Sequence, residues 1–399
     1  MMAPKGGQMR FETVSPDDAG MSSERLGWAR DMMAAHVESG GSPSAVAVVL
    51  RHGRVVFAEA MGQKEPDGPP LETYHVWPIA SAGKPVVAAT LLSLVEDGLV
   101  GLYDPVVDYF PELDADLHGE VLVQHVLTHT TGWESAQRTQ RMVAMLMEGA
   151  IGEPPPGRDP MTHVFLSAAL EPVVINPPGR QQDYDTVTFE LIGEIIRRVT
   201  GGSLEAAARE RILDPLAMSR SAFQVSEDLS QDVVHRLPDL PFGSNAVLSF
   251  EGPRFEQSDF GGGGLFVSPA DLVAFGQMIL NGGELDGVRV LSPATVHSMV
   301  TDQIPGIPAL FGDRVIPQGS WGNAFVVLSH NTFPYFIGGL VPLGSAAHPG
   351  AGGTNFWIDF KHGIVGVMLE VITEVSVDLE PVSGIGHRFQ DVITGAIES

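Results

Sequence analysis

The chain has 399 residues, no cysteine, and 49 acidic against 23 basic residues, a formal net charge of −26. Without thiols there can be no disulfide, cysteine nucleophile or thiolate metal site, and so acidic a chain is a poor match for nucleic acid or an anionic membrane surface. Its length suits one large or two interlocked domains with a sizeable core, and 46 glycines and 30 prolines at 44% hydrophobic content describe a globular protein rich in turns.

Met1 to Phe11 hold no apolar leader-like run, and no later stretch reaches the roughly 18 apolar residues of a membrane span. A soluble, cytoplasmic protein is the expectation. Leu26, Ala29, Met33 and Val37 share one face of an amphipathic helix that starts after Ser22-Ser23. Two apolar stretches, Ala45 to Leu50 and Val55 to Ala60, flank Arg51-His52-Gly53-Arg54 and form a hairpin signature. Ser81-Ala82-Gly83-Lys84 follows, and then Val86, Val87, Leu91, Leu94 and Val95 at helical spacing, with Gly98 as the stop. Pro85 is compatible with a helix there because a first-turn N–H has no intrahelical partner to lose.

Residues 85–250 read as mostly helical, interrupted by the proline-rich loops Glu153 to Gly157 and Asn176 to Gly179. Phe189, Ile192, Ile195 and Ile196 mark a helix that ends near Thr200-Gly201-Gly202, and Ser268-Pro269-Ala270-Asp271 opens another through Ile279. Asn355 to Asp359 and Ile364 to Val371 read as strands around Lys361-His362-Gly363, and residues 384–397 as a closing helix. Strands at both ends with helices between predict an α+β protein whose antiparallel sheet is built from the two chain ends. The expected division is an α/β unit of residues 1–84 and 251–399, a mostly helical unit of residues 85–250, and a cleft between them.

A hydroxyl three residues before an amine, at the first turn of a helix, places both on one face within hydrogen-bond reach. The same turn offers free N–H groups and the positive end of the helix dipole to a developing anion. A serine with its normal proton is a weak nucleophile and needs such a base. The spacing alone also suits a capping serine beside a solvated lysine, so the motif needs support elsewhere.

That support comes in order along the chain. Val76-Trp77-Pro78-Ile79-Ala80-Ser81-Ala82-Gly83-Lys84-Pro85, Glu96-Asp97-Gly98, Tyr103-Asp104-Pro105-Val106, Leu127-Thr128-His129-Thr130-Thr131-Gly132, Tyr184-Asp185-Thr186, the Gly261 to Gly264 run and His348-Pro349-Gly350 resemble the signatures of the penicillin-recognising serine hydrolase superfamily. The branch they resemble holds class C β-lactamases, family VIII carboxylesterases and D-aminopeptidases. The resemblance spans residues 20 to 398 and implies the β-lactamase/transpeptidase-like fold. It implies Ser81 as nucleophile, Lys84 and Tyr184 as catalytic partners, and the backbone N–H groups of Ser81 and Ala351 as oxyanion donors. It implies substrate contacts for His348, Gly350 and Thr186. Neither a cofactor nor a metal is called for.

Either Tyr184 or Lys84 could be the general base. A phenol would need nearby cations, Lys84 and a protonated His348, to hold its anion; an amine would need burial and crowding to lose its proton. Two departures from the family pattern bear on the substrate. Thr186 stands where the second motif usually has asparagine, and His348 stands where β-lactamases usually have the lysine that holds a β-lactam carboxylate. Both point away from penicillins and toward a small uncharged ester or amide, hence a carboxylesterase. Alternatives are a transacylase or amide-forming acyltransferase, a D-aminopeptidase or amidase with Asp185 receiving a substrate ammonium, a weak β-lactamase, and a catalytically silent binding protein. Trp133, Tyr335 and Trp357 are candidates for the acyl pocket, set against ordinary core or rim positions. His125 and His129, spaced i, i+4, lack the glutamate and third ligand of a zinc site and read as structural. The oligomeric state is open.

Overall fold

A computed structural model describes residues 10–65, 67–135, 138–234, 258–311, 314–330, 337–371 and 384–399. Tyr335 and the expected unit boundary at 250/251 lie outside the described residues.

The principal sheet follows from the apolar runs at the two chain ends. Strands β1 (Ser44–Arg51) and β2 (Arg54–Gly62) form the first hairpin. His52 and Gly53 both adopt left-handed φ, 49° and 74°, the backbone that a two-residue turn between twisted strands demands. Toward the other end come β3 (Val326–Val327), β4 (Ala346–Gly350), β5 (Thr354–Asp359) and β6 (Ile364–Glu370). The order across the six-stranded sheet is β3-β4-β5-β6-β1-β2, antiparallel throughout, with Ala45 opposite Glu370 where the ends meet.

Every residue of β1 is buried, because both faces of the sheet are covered. Val46, Val48 and Leu50 enter one core; Ala45, Ala47 and Val49 enter another. The second core lies under α1 (Ser23–Glu38) and α5 (Gly386–Gly395). Helix α1 supplies Leu26, Ala29 and Met33 to it, after the Ser22 hydroxyl accepts the Arg25 N–H as a cap. The first core is larger and takes in α2 (Lys84–Glu96), α3 (Glu190–Thr200) and α4 (Pro269–Leu280).

Helix α2 is buried on all sides from Lys84 to Leu94. It ends as expected, with Gly98 at φ 73° while the Leu99 and Gly98 N–H groups donate to the Leu94 and Val95 carbonyls. Among the described residues no helix is long and apolar enough to cross a membrane.

His348, Pro349 and Gly350, ahead of the strand expected from Asn355, are themselves the end of β4, paired with Phe356, Asn355 and Thr354 of β5. Proline and glycine hide a strand from propensity, and here Gly350 is required by packing. A Cβ at position 350 would collide with the carbonyl oxygen of Ile79, in the turn that carries Ser81. Gly350→Ala is therefore expected to push β4 off that turn and destabilise the protein by about 1–3 kcal/mol. Urea unfolding at constant m-value measures the loss, and a variant as stable as the parent would contradict this close approach.

Candidate active site

Ser81 lies in a single 3-10 turn, Ala80–Gly83, that runs directly into α2. The residue before it, Ala80, is fully buried and held at φ 49°, a left-handed conformation that costs a non-glycine residue about 1–3 kcal/mol. Packing of Ile79 N–H against the Leu265 carbonyl and of Ile79 against Gly350 holds that turn in place.

The Lys84 side chain is fully buried, and among the described residues its amine has three polar neighbours. Ser81 Oγ lies 2.9 Å from Nζ, the Gly262 carbonyl oxygen 2.5 Å and Thr186 Oγ1 3.3 Å. The Tyr184 and Phe189 rings stand 5.2 and 5.5 Å away. Burial drives the Lys84 pKa well below the ordinary lysine value, with only Asp185 pulling the other way. An ammonium in such a site is expensive, so burial favours the neutral amine. A neutral amine has two N–H bonds and one lone pair. The Gly262 carbonyl can only accept, so it takes one N–H; Thr186 Oγ1 can take the other, which turns the lone pair toward the Ser81 hydroxyl.

Tyr184 comes from the segment after a two-residue strand, Gln182–Asp183, which is tied to the Leu127 to Gly132 segment by Asp183 N–H donating to the His129 carbonyl. Its hydroxyl faces those of Ser81 and Thr186, which both favour the phenolate, but burial outweighs them and pushes the pKa up to about 12. Tyr184 is thus a protonated phenol at neutral pH.

His348 lies within the same ring cluster and does not carry the charge that sequence reasoning allowed it. Burial and the neighbouring Lys84 lower its pKa to about 3. Its Nδ1 is 2.7 Å from the Pro349 carbonyl, which can only accept, so Nδ1 holds the proton and Nε2 the lone pair. That Nε2 is buried and has no hydrogen-bond partner among the described residues. Burial thus disfavours both halves of a phenolate–imidazolium pair.

Two further rings complete the cluster. Trp321 stands edge-on to His129 and His348, at centroid distances of 5.2 and 5.7 Å, and 5.7 Å from Tyr184; His129 and Tyr184 are 4.5 Å apart. Trp321 carries no motif in the sequence and was missed. The His129 Nδ1 accepts the Asp185 N–H, and its i, i+4 neighbour His125 accepts the Leu122 N–H through Nδ1. Among the described residues no three His, Asp or Glu side chains converge as a metal site.

Three other sequence candidates lie elsewhere. Asp185 is buried against Arg138, 2.8 Å away, and accepts from Val187 N–H and the Thr188 hydroxyl, so its oxygens are committed and cannot receive a substrate ammonium. Trp133 is a core residue, edge-on to His118 and bridged to Val174. Trp357 packs edge-on against Phe389 in the core beneath α5, its ring lying over Gly366. Ser81, Lys84, Tyr184, Thr186 and His348 are brought together, with Gly350 beside the Ser81 turn and Ala351 following it against the larger core.

A family model described as Beta-lactamase matches residues 29–371. The chain belongs to the beta-lactamase family. Its fold is the β-lactamase/transpeptidase-like one: a crystal structure of a family VIII carboxylesterase superposes with a TM-score of 0.71, at 20% identity, over 94% of this chain and 99% of that one. Among sequence relatives, lovastatin esterase of Penicillium rubens is 26% identical over 365 residues, 82% of this chain and 88% of that protein. Esterase EstB of Burkholderia gladioli is 28% identical over 258 residues, 57% of this chain and 63% of that protein.

Proposed function

We propose that this family member is a serine carboxylesterase that works through an acyl-enzyme on Ser81. The observation that carries the reading is the fully buried Lys84 amine, 2.9 Å from Ser81 Oγ and driven toward its neutral form. Lys84 Nζ takes the Ser81 proton as Oγ attacks the ester carbonyl. The N–H groups of Ser81 and Ala351 receive the oxyanion. Tyr184, protonated and facing Ser81, gives its proton to the departing alkoxide and is reprotonated from Lys84. Water then enters by the reverse path: as it attacks the acyl carbon its proton passes through Tyr184 to Lys84, and Lys84 gives that proton to Ser81 Oγ as the bond from Oγ to the acyl carbon breaks and the acid leaves.

His348 supports the choice of an uncharged substrate. A neutral imidazole in place of an ammonium offers a β-lactam carboxylate no counter-charge, and its open Nε2 lone pair suits a hydroxyl or N–H of the substrate. The names of the esterase relatives agree with this reading.

A panel of small aryl and alkyl esters, D-amino-acid amides and a chromogenic cephalosporin tests it. Ester turnover should exceed that of the other two classes and vanish in Ser81→Ala. Preferred cleavage of the cephalosporin or the amides would overturn the substrate assignment, and an added alcohol that diverts most product into a new ester would assign acyl transfer instead.

A further inference from the structure

The Gly262 carbonyl that receives the Lys84 amine belongs to a glycine run with no regular structure of its own, so something else must hold it. Helix α3 does this at two points. Backbone packs on backbone: a Cβ at Gly261 would lie 3.1 Å from the Gly193 Cα and one at Gly193 would lie 3.3 Å from the Gly261 Cα. One turn earlier, Glu190 Oε2 accepts the Gly261 N–H at 2.7 Å. On its far side a Cβ at Gly262 would lie 2.7 Å from the Thr186 carbonyl oxygen, so the run is clamped between α3 and the Tyr184 to Thr186 segment.

Glu190 is completely buried, and Arg197 of the same helix pairs with its other oxygen. Arg197 also donates to the Asp259 carbonyl at 3.0 Å and to Glu194 at 2.9 Å, while Glu194 is held by Arg158 and Arg198. Buried ion pairs are a weak source of stability, since apolar residues of similar volume often serve as well. What this cluster does supply is a fixed acceptor for one N–H, adjacent in the chain to the carbonyl that orients Lys84. We infer that Glu190 is a positioning residue for Lys84, acting through the Gly261–Gly262 backbone so that the amine lone pair faces Ser81. The inference rests on the reading of Ser81 as the acylated nucleophile and Lys84 as its base.

Two variants test it in the full-length protein with p-nitrophenyl butyrate, active sites being counted by a fluorophosphonate that labels Ser81. Glu190→Gln keeps the volume and replaces the carboxylate that pairs with Arg197 and the Gly261 N–H by an amide with a single acceptor oxygen; Gly261→Ala leaves the ion cluster whole and lifts the run from α3. For both, kcat per labelled serine should fall about tenfold with KM within about twofold of the parent, as expected when a catalytic group is displaced by a fraction of an ångström. If Glu190 is merely structural, Glu190→Gln loses labelled sites alone while kcat per site and KM stay at the parent values, and the inference fails. A fall in Gly261→Ala alone also overturns the role of Glu190. Failure of the underlying reading shows separately, as a parent protein whose Ser81 takes no label.

Discussion

Lys84→Met is expected to lower kcat/KM for p-nitrophenyl butyrate by about 10³-fold, within the range that a positioned general base contributes. Methionine fills much of the same buried volume and leaves Ser81 with no effective base: Tyr184 is a phenol pushed up to about 12, and burial lowers the His348 imidazole to about 3, so its Nε2 lone pair holds a proton too weakly. The same variant carries a stability prediction of fixed sign. Because burial lowers the folded-state pKa of Lys84, the unfolded chain binds the extra proton at any pH between that value and the unfolded lysine value of about 10.4. Across that window the parent gains stability as pH rises. Methionine removes the term, so the urea midpoint of the variant relative to the parent should be highest at neutral pH and decline toward pH 10. A pH-independent difference would mean that the amine stays charged in the fold, and an active Lys84→Met protein would remove it from the chemistry.

Tyr184→Phe should cost about 10²-fold in kcat/KM for an alkyl ester and far less for the p-nitrophenyl ester of the same acid. An alkoxide is too basic to leave without a proton, whereas p-nitrophenolate departs on its own. Acylation is the step that kcat/KM reports, so the contrast reads the leaving-group proton directly. In the parent, kcat/KM should already be on its plateau well below pH 10, where an ordinary lysine would still be charged, and the plateau should persist until Tyr184 begins to ionise. An equal loss on both esters would assign Tyr184 to a step before bond cleavage, as the base that activates Ser81.

Much of this arrangement is legible in the amino-acid sequence because it is local or periodic. The spacing of Val86 to Val95 with Gly98 after it, the His52-Gly53 turn, and the paired strands at the two ends are all found where their patterns predict. The motif residues Ser81, Lys84, Tyr184, Thr186 and His348 lie together in space. What the sequence hides are the outcomes of tertiary packing. Strand β4 ends in Pro349 and Gly350, whose propensities argue against a strand, and only the approach of Ile79 explains the glycine. The charge state of His348 depends on its complete burial beside Lys84. Asp185 reads as available beside Tyr184 in the sequence, but Arg138, distant in the chain, is packed against it. Trp133 and Trp357 were no better candidates by composition than Trp321, which is the tryptophan that reaches the site.

The most direct test of the account is the intact mass of the protein acid-quenched during turnover of a slow ester, with peptide mapping of any adduct. The account predicts one acyl group per chain, carried by the peptide that contains Ser81 and lost in Ser81→Ala. Steady turnover with an unmodified protein, or an acyl group mapped to any other residue, would contradict it.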